Sequence, residues 1–115
     1  MDEVSCAINQ QRQLLVNGRP VTTDLPILEA IVVGERVVAL YDPDASPRSW
    51  WTFPNLVAFT VDGRHLWTAE QPTTTTGDCY YHIASAEPLV AYSTQSFACT
   101  IDPESGRLVS TLFAK

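Results

Sequence analysis

Short apolar runs, separated by polar turn signals, recur along this chain and predict β-strands throughout. The runs are rich in β-branched and aromatic residues, which favour strands over helices. Pairs such as Asn17-Gly18 lie between them and are typical of hairpin turns. Residues 3–13 are open between a helical turn and a first strand, with the strand favoured. The predicted strands are 14–16, 27–33, 36–41, 55–61, 64–70, 79–84, 89–94, 97–101 and 107–113.

Two parts of the chain resemble each other, which indicates an internal repeat. Residues 35–40 (ERVVAL) resemble residues 87–92 (EPLVAY), and residues 57–62 (VAFTVD) resemble residues 97–102 (FACTID). In each copy of the second match, alternate residues are expected to share one face of a strand. The repeat therefore predicts two similar sheets.

Each copy of the repeat predicts an antiparallel meander of four strands. The first unit covers about 25–70 and the second about 79–114, within a single all-β domain over 1–115. One such sheet cannot bury its apolar face alone, whereas two can pack against each other. The expected fold is thus all-β, with two four-stranded meanders that resemble propeller blades and pack as a half-propeller or a sandwich.

The two units differ in an insertion, residues 42–54 (DPDASPRSWWTFP), where the second unit has only a short turn. Irregular surface loops often carry function, and Trp, Phe and Arg are frequent at the energetic centres of interfaces. Alternatively, one of the two tryptophans folds back as a lid over a sheet edge. The predicted partner-binding residues are Asp42, Asp44, Trp50, Trp51 and Phe53, with Asp78 and Glu87 as rim acids.

A stretch at 55–67 (NLVAFTVDGRHLW) resembles the blade motif of quinoprotein-type β-propellers, in which a glycine and then a tryptophan follow a strand. Residues 101–110 resemble the same motif, with Ser110 where a tryptophan is usual. The whole chain resembles a family of small uncharacterised bacterial half-propeller-like proteins. Some small half-propeller proteins are immunity proteins that block the toxins of contact-dependent inhibition systems. The resemblance therefore implies a binding function, and because two units do not close a ring, it implies no cofactor.

The charge of the chain narrows the classes of partner. Thirteen acids against seven bases give a formal net charge of −6, and no basic stripe is visible. Nucleic acid and anionic membranes are therefore disfavoured as partners, whereas a basic protein is electrostatically compatible. The same charge also serves simply to keep a protein soluble. An acidic start at Met1-Asp2-Glu3, with no apolar span, favours a cytoplasmic location.

The sequence contains no pattern typical of catalysis or metal binding. His65 and His82 lack the spacing of metal ligands, and we expect the first to be exposed and the second half-buried. The odd set of three cysteines has no CxxC pair, and Cys99 is expected to be a buried apolar residue. Nucleophile elbows and glycine-rich phosphate loops do not occur. We therefore predict no enzyme, no metal site and no cofactor.

Two functional hypotheses follow from the sequence. The first is a cytoplasmic protein-binding module, an immunity or inhibitor protein that occludes a basic toxin domain such as a nuclease. The second is a structural or assembly protein that self-associates through exposed sheet edges, since unpaired edges readily pair. Two copies joined in this way would form a homo-oligomer that approaches a propeller.

Overall fold

The computed structural model describes residues 3–42, 54–73 and 78–113. In these ranges the chain forms strands and no helix, which confirms the predicted all-β class. The predicted bounds are confirmed for four strands, and the other five predicted strands shift by one or two residues at an end. The strands are β1 (Cys6–Ile8), β2 (Leu14–Val16), β3 (Arg19–Pro20), β4 (Ile27–Val33), β5 (Arg36–Tyr41), β6 (Leu56–Thr60), β7 (His65–Thr68), β8 (Tyr80–Ala86), β9 (Leu89–Ser93), β10 (Phe97–Ile101) and β11 (Leu108–Phe113).

The strands form three antiparallel sheets, none of them closed, each connected as a meander. The N-terminal sheet has the order β1-β2-β3, the middle sheet β4-β5-β6-β7, and the C-terminal sheet β11-β10-β9-β8. The two predicted four-stranded meanders are thus confirmed. The N-terminal sheet is an additional layer that the sequence did not predict.

The middle sheet is buried on both of its faces. On one face, Val37 and Phe59 pack with Leu14 and Val16 of the N-terminal sheet. On the other, Val38 and Leu40 pack with residues of β8, β9 and β10 from the C-terminal sheet. This double burial explains why β5 is apolar at every position after Arg36 rather than alternating.

The repeat places matched residues on the same side of successive sheets. Val37 and Ala39 of β5 face the N-terminal sheet. Their matches in β9, Leu89 and Ala91, face the middle sheet. The sheets therefore stack face to back, with the matched residues of each sheet directed the same way through the stack. In two sheets related by a twofold axis, the matched residues would instead face each other.

Each junction between sheets is marked by a side chain that lies against a turn glycine of the next sheet. The ring of Trp67 lies over Gly106, where an added Cβ would come within 2.6 Å of Cε3 of the indole. At the other junction, a Cβ on Gly63 would come within 3.3 Å of Val21. The Trp67 Nε1–H also donates to the Pro103 carbonyl at 2.9 Å. Glycine at these two turns therefore permits close approach between layers.

Substitution of Gly106 by alanine is expected to cost about 2–3 kcal/mol of unfolding free energy. Its φ of +78° strains any residue with a Cβ, and the added methyl would overlap a buried indole. Gly18→Ala is the matched control, because its φ is +79° and an added Cβ would have no other atom within 4 Å. Its loss of unfolding free energy, about 1 kcal/mol, therefore measures the backbone strain alone. Urea unfolding of both variants gives the comparison, and equal losses would contradict the close contact with Trp67.

Candidate partner-binding site

Along the direction of the strands, the stacked sheets have two opposite ends, and polar side chains are distributed unequally between them. Strand β5 runs from Arg36 to Tyr41, and six residues of strand span roughly 20 Å. At the turn end lie the connections β4–β5, β8–β9 and β10–β11, together with Arg36. At the insertion end lie Asp42 and the starts of β6 and β8. The predicted site residues that the structure describes divide between these two ends.

Asp42 lies at the insertion end and is held by contacts within the chain. Its carboxylate is 2.8 Å from the Arg12 guanidinium, and its side chain is only 14% exposed. Its backbone N–H donates to the Pro26 carbonyl at 3.0 Å. A cationic partner group would therefore compete with Arg12 for this carboxylate.

Asp78 does not occupy the exposed rim position that was predicted for it. The residue is 1% exposed, and its carboxylate accepts hydrogen bonds from the Thr73 hydroxyl at 2.7 Å and the Thr94 hydroxyl at 3.2 Å. It also accepts from the Gln95 N–H at 3.2 Å. The prediction of a rim acid is wrong here, because the carboxylate satisfies polar groups of Thr73 and of the β9–β10 turn instead of facing solvent.

Asp44, Trp50, Trp51 and Phe53 lie outside the described residues. Their role as partner contacts, and the alternative of a tryptophan lid, remain predictions from the sequence.

Glu87 is exposed and borders an open groove at the turn end, between the middle and C-terminal sheets. The groove has a volume of about 390 Å³. Its apolar lining includes the nearly fully buried Val33, Leu89 and Ile101, so the floor belongs to the packed core and is rigid. Pro88 adds a further apolar surface beside Glu87.

The rim of the groove carries more negative than positive charge. Glu87 and Asp102 line it, together with the cation Arg36. The Arg36 guanidinium is 3.4 Å from the carboxylate of Glu104, whose side chain is largely exposed. The groove therefore combines an apolar floor with a net acidic rim, an arrangement that suits an apolar side chain carried on a basic surface.

Tight turns bring these rim residues together. The Asp102 carbonyl accepts from the Ser105 N–H at 3.3 Å and the Gly106 N–H at 2.8 Å, which folds the β10–β11 connection. The Asp102 carboxylate accepts from the Glu104 N–H at 2.9 Å, the turn role that the sequence suggested for it. Gly34, with a φ of +64°, closes the β4–β5 turn beside them.

A second groove lies at the insertion end, lined by residues 11–13 and 21–26, with a volume of about 510 Å³. Its lining mixes polar residues with Val21, Leu25 and Pro26, and it includes Arg12, the guanidinium that pairs with Asp42. Its one acid, Asp24, is balanced by Arg12, whereas two acids outnumber one cation at the turn-end groove, so this second groove suits a basic partner less well.

Three ionisable side chains outside the two grooves, Cys99, His65 and His82, have contacts within the chain. Burial raises the pKa of the Cys99 thiol to about 11, so this cysteine stays protonated and un-nucleophilic at neutral pH. His65 contacts the Thr68 hydroxyl at 2.9 Å, and the half-exposed His82 contacts Glu29 at 3.0 Å.

No group of three metal-ligating side chains occurs among the described residues. Within the same ranges, no helix has the length and hydrophobicity that a membrane span needs.

Sequence reasoning missed the polar residues that join the sheets. Asn55, fully buried, bonds to both backbone groups of Tyr80 across the two larger sheets. Glu29 of β4 accepts from the Ile83 N–H of β8 at 2.8 Å. A signal for Glu29 was present, since it is an acid within the otherwise apolar run 27–33.

The fold and the groove define a small all-β protein of stacked antiparallel meanders with an acid-rimmed apolar groove at one end. Residues 1–113 match the family described as Domain of unknown function (DUF7957), and the chain belongs to that family. No curated protein matches the chain.

Proposed function

We propose that this chain is a cytoplasmic protein-binding module that binds a basic protein at the turn-end groove, in the manner of an immunity or inhibitor protein. The single observation that carries the proposal is the rigid apolar floor beside Glu87 and Asp102. An apolar anchor buried in such a pocket supplies affinity, and charges around it guide encounter and orientation. The net charge of −6 acts in the same direction.

The stacking of the sheets supports the half-propeller resemblance behind this proposal. Face-to-back packing, with Trp67 of one sheet over Gly106 of the next, is what a repeated blade would produce. In the C-terminal sheet, Ser110 stands where the blade motif has a tryptophan, so no equivalent indole is available to continue the stack. Because such a stack is open and not a closed ring, a partner would bind at its surface, here at the turn end, and not in a central site.

The proposed mechanism is occlusion of a toxin domain, such as a nuclease. An apolar side chain of the partner enters the groove against Leu89 and Ile101, and lysine or arginine side chains around it pair with Glu87 and Asp102. Basic residues are abundant where a nuclease binds phosphates, so a negative surface seated there excludes substrate. No covalent step is required.

Charge reversal at Glu87 tests the position of the site. With the purified product of the reading frame immediately upstream as the probe, we expect Glu87→Lys to weaken binding by about tenfold or more. Asp24→Lys makes the same charge change at the insertion end, where Asp24 borders the second groove, and is expected to have a much smaller effect. Calorimetric titration of each variant measures the difference.

Two outcomes would count against this proposal. If the upstream product neither binds the chain nor is toxic in cells that lack it, the immunity function is wrong. If Asp24→Lys abolishes binding while Glu87→Lys leaves it unchanged, the partner binds at the insertion end, and the predicted contacts Asp44, Trp50, Trp51 and Phe53 become the better candidates.

A further inference from the structure

The two larger sheets present four edge strands, and three of them are protected against pairing with another strand. Strands β4 and β8 contact each other, and the Glu29 carboxylate already accepts the Ile83 N–H of β8. Strand β8 is also interrupted by two register shifts, and β4 by one. Short strands and irregular register are common protections of sheet edges.

The third protected edge, β7, has only four residues. It is interrupted by a register shift opposite Ala58 and Phe59, and its Trp67 is committed to the junction with the C-terminal sheet. A regular ladder of useful length therefore cannot extend from it.

Strand β11 is the exception. It has six residues, and its single register shift lies at the start, so that Ser110–Phe113 pair regularly with β10. No residue of β11 is ionisable, and Val109, Leu112 and Phe113 are each between 65% and 68% exposed. A regular, uncharged and apolar edge is the kind that pairs with another strand.

The charge of the chain indicates which strand would pair with β11. Two copies of a chain with a net charge of −6 repel each other, so they can meet only where neither brings acids into contact. The Glu70 carboxylate contacts β11 at its start, where it accepts the Leu108 N–H at 3.0 Å. The regular stretch Ser110–Phe113 carries no acid and meets the condition, whereas a basic partner would find no carboxylate on it to pair with. An antiparallel strand is also self-complementary about a twofold axis.

We propose that β11 pairs antiparallel with β11 of a second copy, which joins two C-terminal sheets into one continuous eight-stranded sheet. The regular stretch Ser110–Phe113 lies outside the lining of the proposed partner groove, which β11 borders at Val109. Leu112 lies opposite Ala98 and Thr111 opposite Cys99, so the Leu112 side chain is on the face of the sheet away from the middle sheet. Because β11 is at the far edge from β8, such a dimer extends a sheet and does not approach a closed propeller.

The dimer is expected to be weak and to respond to salt in a characteristic direction. One pair of short strands buries less than the roughly 1,200 Å² of a standard interface, which suggests a Kd between about 1 µM and 1 mM. Salt screens repulsion between two acidic copies, so added salt should strengthen the dimer. Binding of a basic partner at the groove should weaken under the same change, which separates the two proposals.

Sedimentation equilibrium over a range of protein concentrations tests the inference with three forms of the full chain. We expect the wild type to approach the dimer mass, Leu112→Lys to stay monomeric, and the control Leu66→Lys, an exposed position on β7, to behave as the wild type. Lysine at position 112 puts a charge on the otherwise uncharged edge of each copy, and charged side chains on an edge strand block its pairing.

Hydrogen exchange of the wild type provides a measurement that needs no variant. Amides of β11 should exchange more slowly as protein concentration rises, while those of β7 should not change. A wild type that is monomeric up to about 1 mM, or a Leu112→Lys variant that dimerises as well as the wild type, would overturn the proposal. Concentration-independent exchange of β11 would overturn it as well, even if the variant failed to fold.

Discussion

Replacement of Trp67 by alanine is expected to cost about 4 kcal/mol of unfolding free energy. The indole is 6% exposed and packs in the core between the middle and C-terminal sheets. Its loss leaves a cavity beside Gly106, which has no side chain to fill it, and removes the hydrogen bond to the Pro103 carbonyl. Because small domains have only about 5–15 kcal/mol in total, this variant should lie close to the limit of folding.

Two companion variants separate the parts of this effect. Trp67→Phe retains much of the ring but loses the N–H donor, and we expect it to cost about 1–2 kcal/mol. Leu66→Ala, at the exposed neighbouring position, should cost less than about 0.5 kcal/mol. Urea unfolding measures all three. If Trp67→Ala were no more costly than Leu66→Ala, the indole would not be a structural link between the sheets.

The blade-like motif of the sequence acquires a spatial meaning from this contact. The motif places a glycine and a tryptophan close together in one unit, as at Gly63 and Trp67. In the structure, however, Trp67 meets Gly106, the glycine of the next unit, while Gly63 receives Val21 from the preceding sheet. The sequence revealed the recurrence of these residues, but the partner of each lies in a different repeat and is set by the stacking.

Strand positions could be predicted where local pattern and burial agree. The bounds of β2, β4, β5 and β10 matched because each is a run dominated by apolar and β-branched residues and bounded by turn signals. The N-terminal sheet was missed as a layer because its strands have only two or three residues, too few to show alternation. Its presence was nevertheless indicated by β5, since a strand that is apolar on both faces requires a cover on both.

The candidate site could be predicted only in part. Glu87 was identified, but the groove beside it is formed by three turns that are distant in sequence. Asp78 was misplaced because its burial depends on Thr94 and Gln95, which reach it only after β8 and β9 have paired. Hydrogen bonds from residues distant in sequence cannot be predicted from the residues around Asp78. The turn role of Asp102 could be predicted, because it depends on its sequence neighbours alone.

Asn55 provides the second large effect, and Asn55→Ala is expected to cost about 4 kcal/mol. Its amide donates to the Tyr41 carbonyl at 3.3 Å and the Tyr80 carbonyl at 2.6 Å, and it accepts from the Tyr80 N–H at 3.0 Å. The residue is fully buried, so truncation removes these bonds at a position that water does not reach easily. Unpaired buried backbone groups carry the main penalty.

Asn9→Ala is a matched control for this prediction. The Asn9 side chain also makes three hydrogen bonds, accepting from the N–H groups of Gln11 and Gln13 and donating to the Gln13 side chain, but in an exposed turn. Water can replace them there, so we expect a loss of no more than about 1 kcal/mol. Similar losses in the two variants would show that the number of bonds, and not their burial, determines the cost.

The location of Asn55 also allows the effect of its substitution on stability to be measured separately from any effect on partner binding. Asn55 joins the middle and C-terminal sheets at the insertion end, whereas the groove beside Glu87 lies at the turn end, roughly 20 Å away along β5. Under conditions where Asn55→Ala remains folded, its affinity for the upstream product should equal that of the wild type, measured by the same calorimetric titration. A large loss of affinity in this folded variant would indicate that the partner binds at the insertion end, because only there does the amide hold the two sheets together.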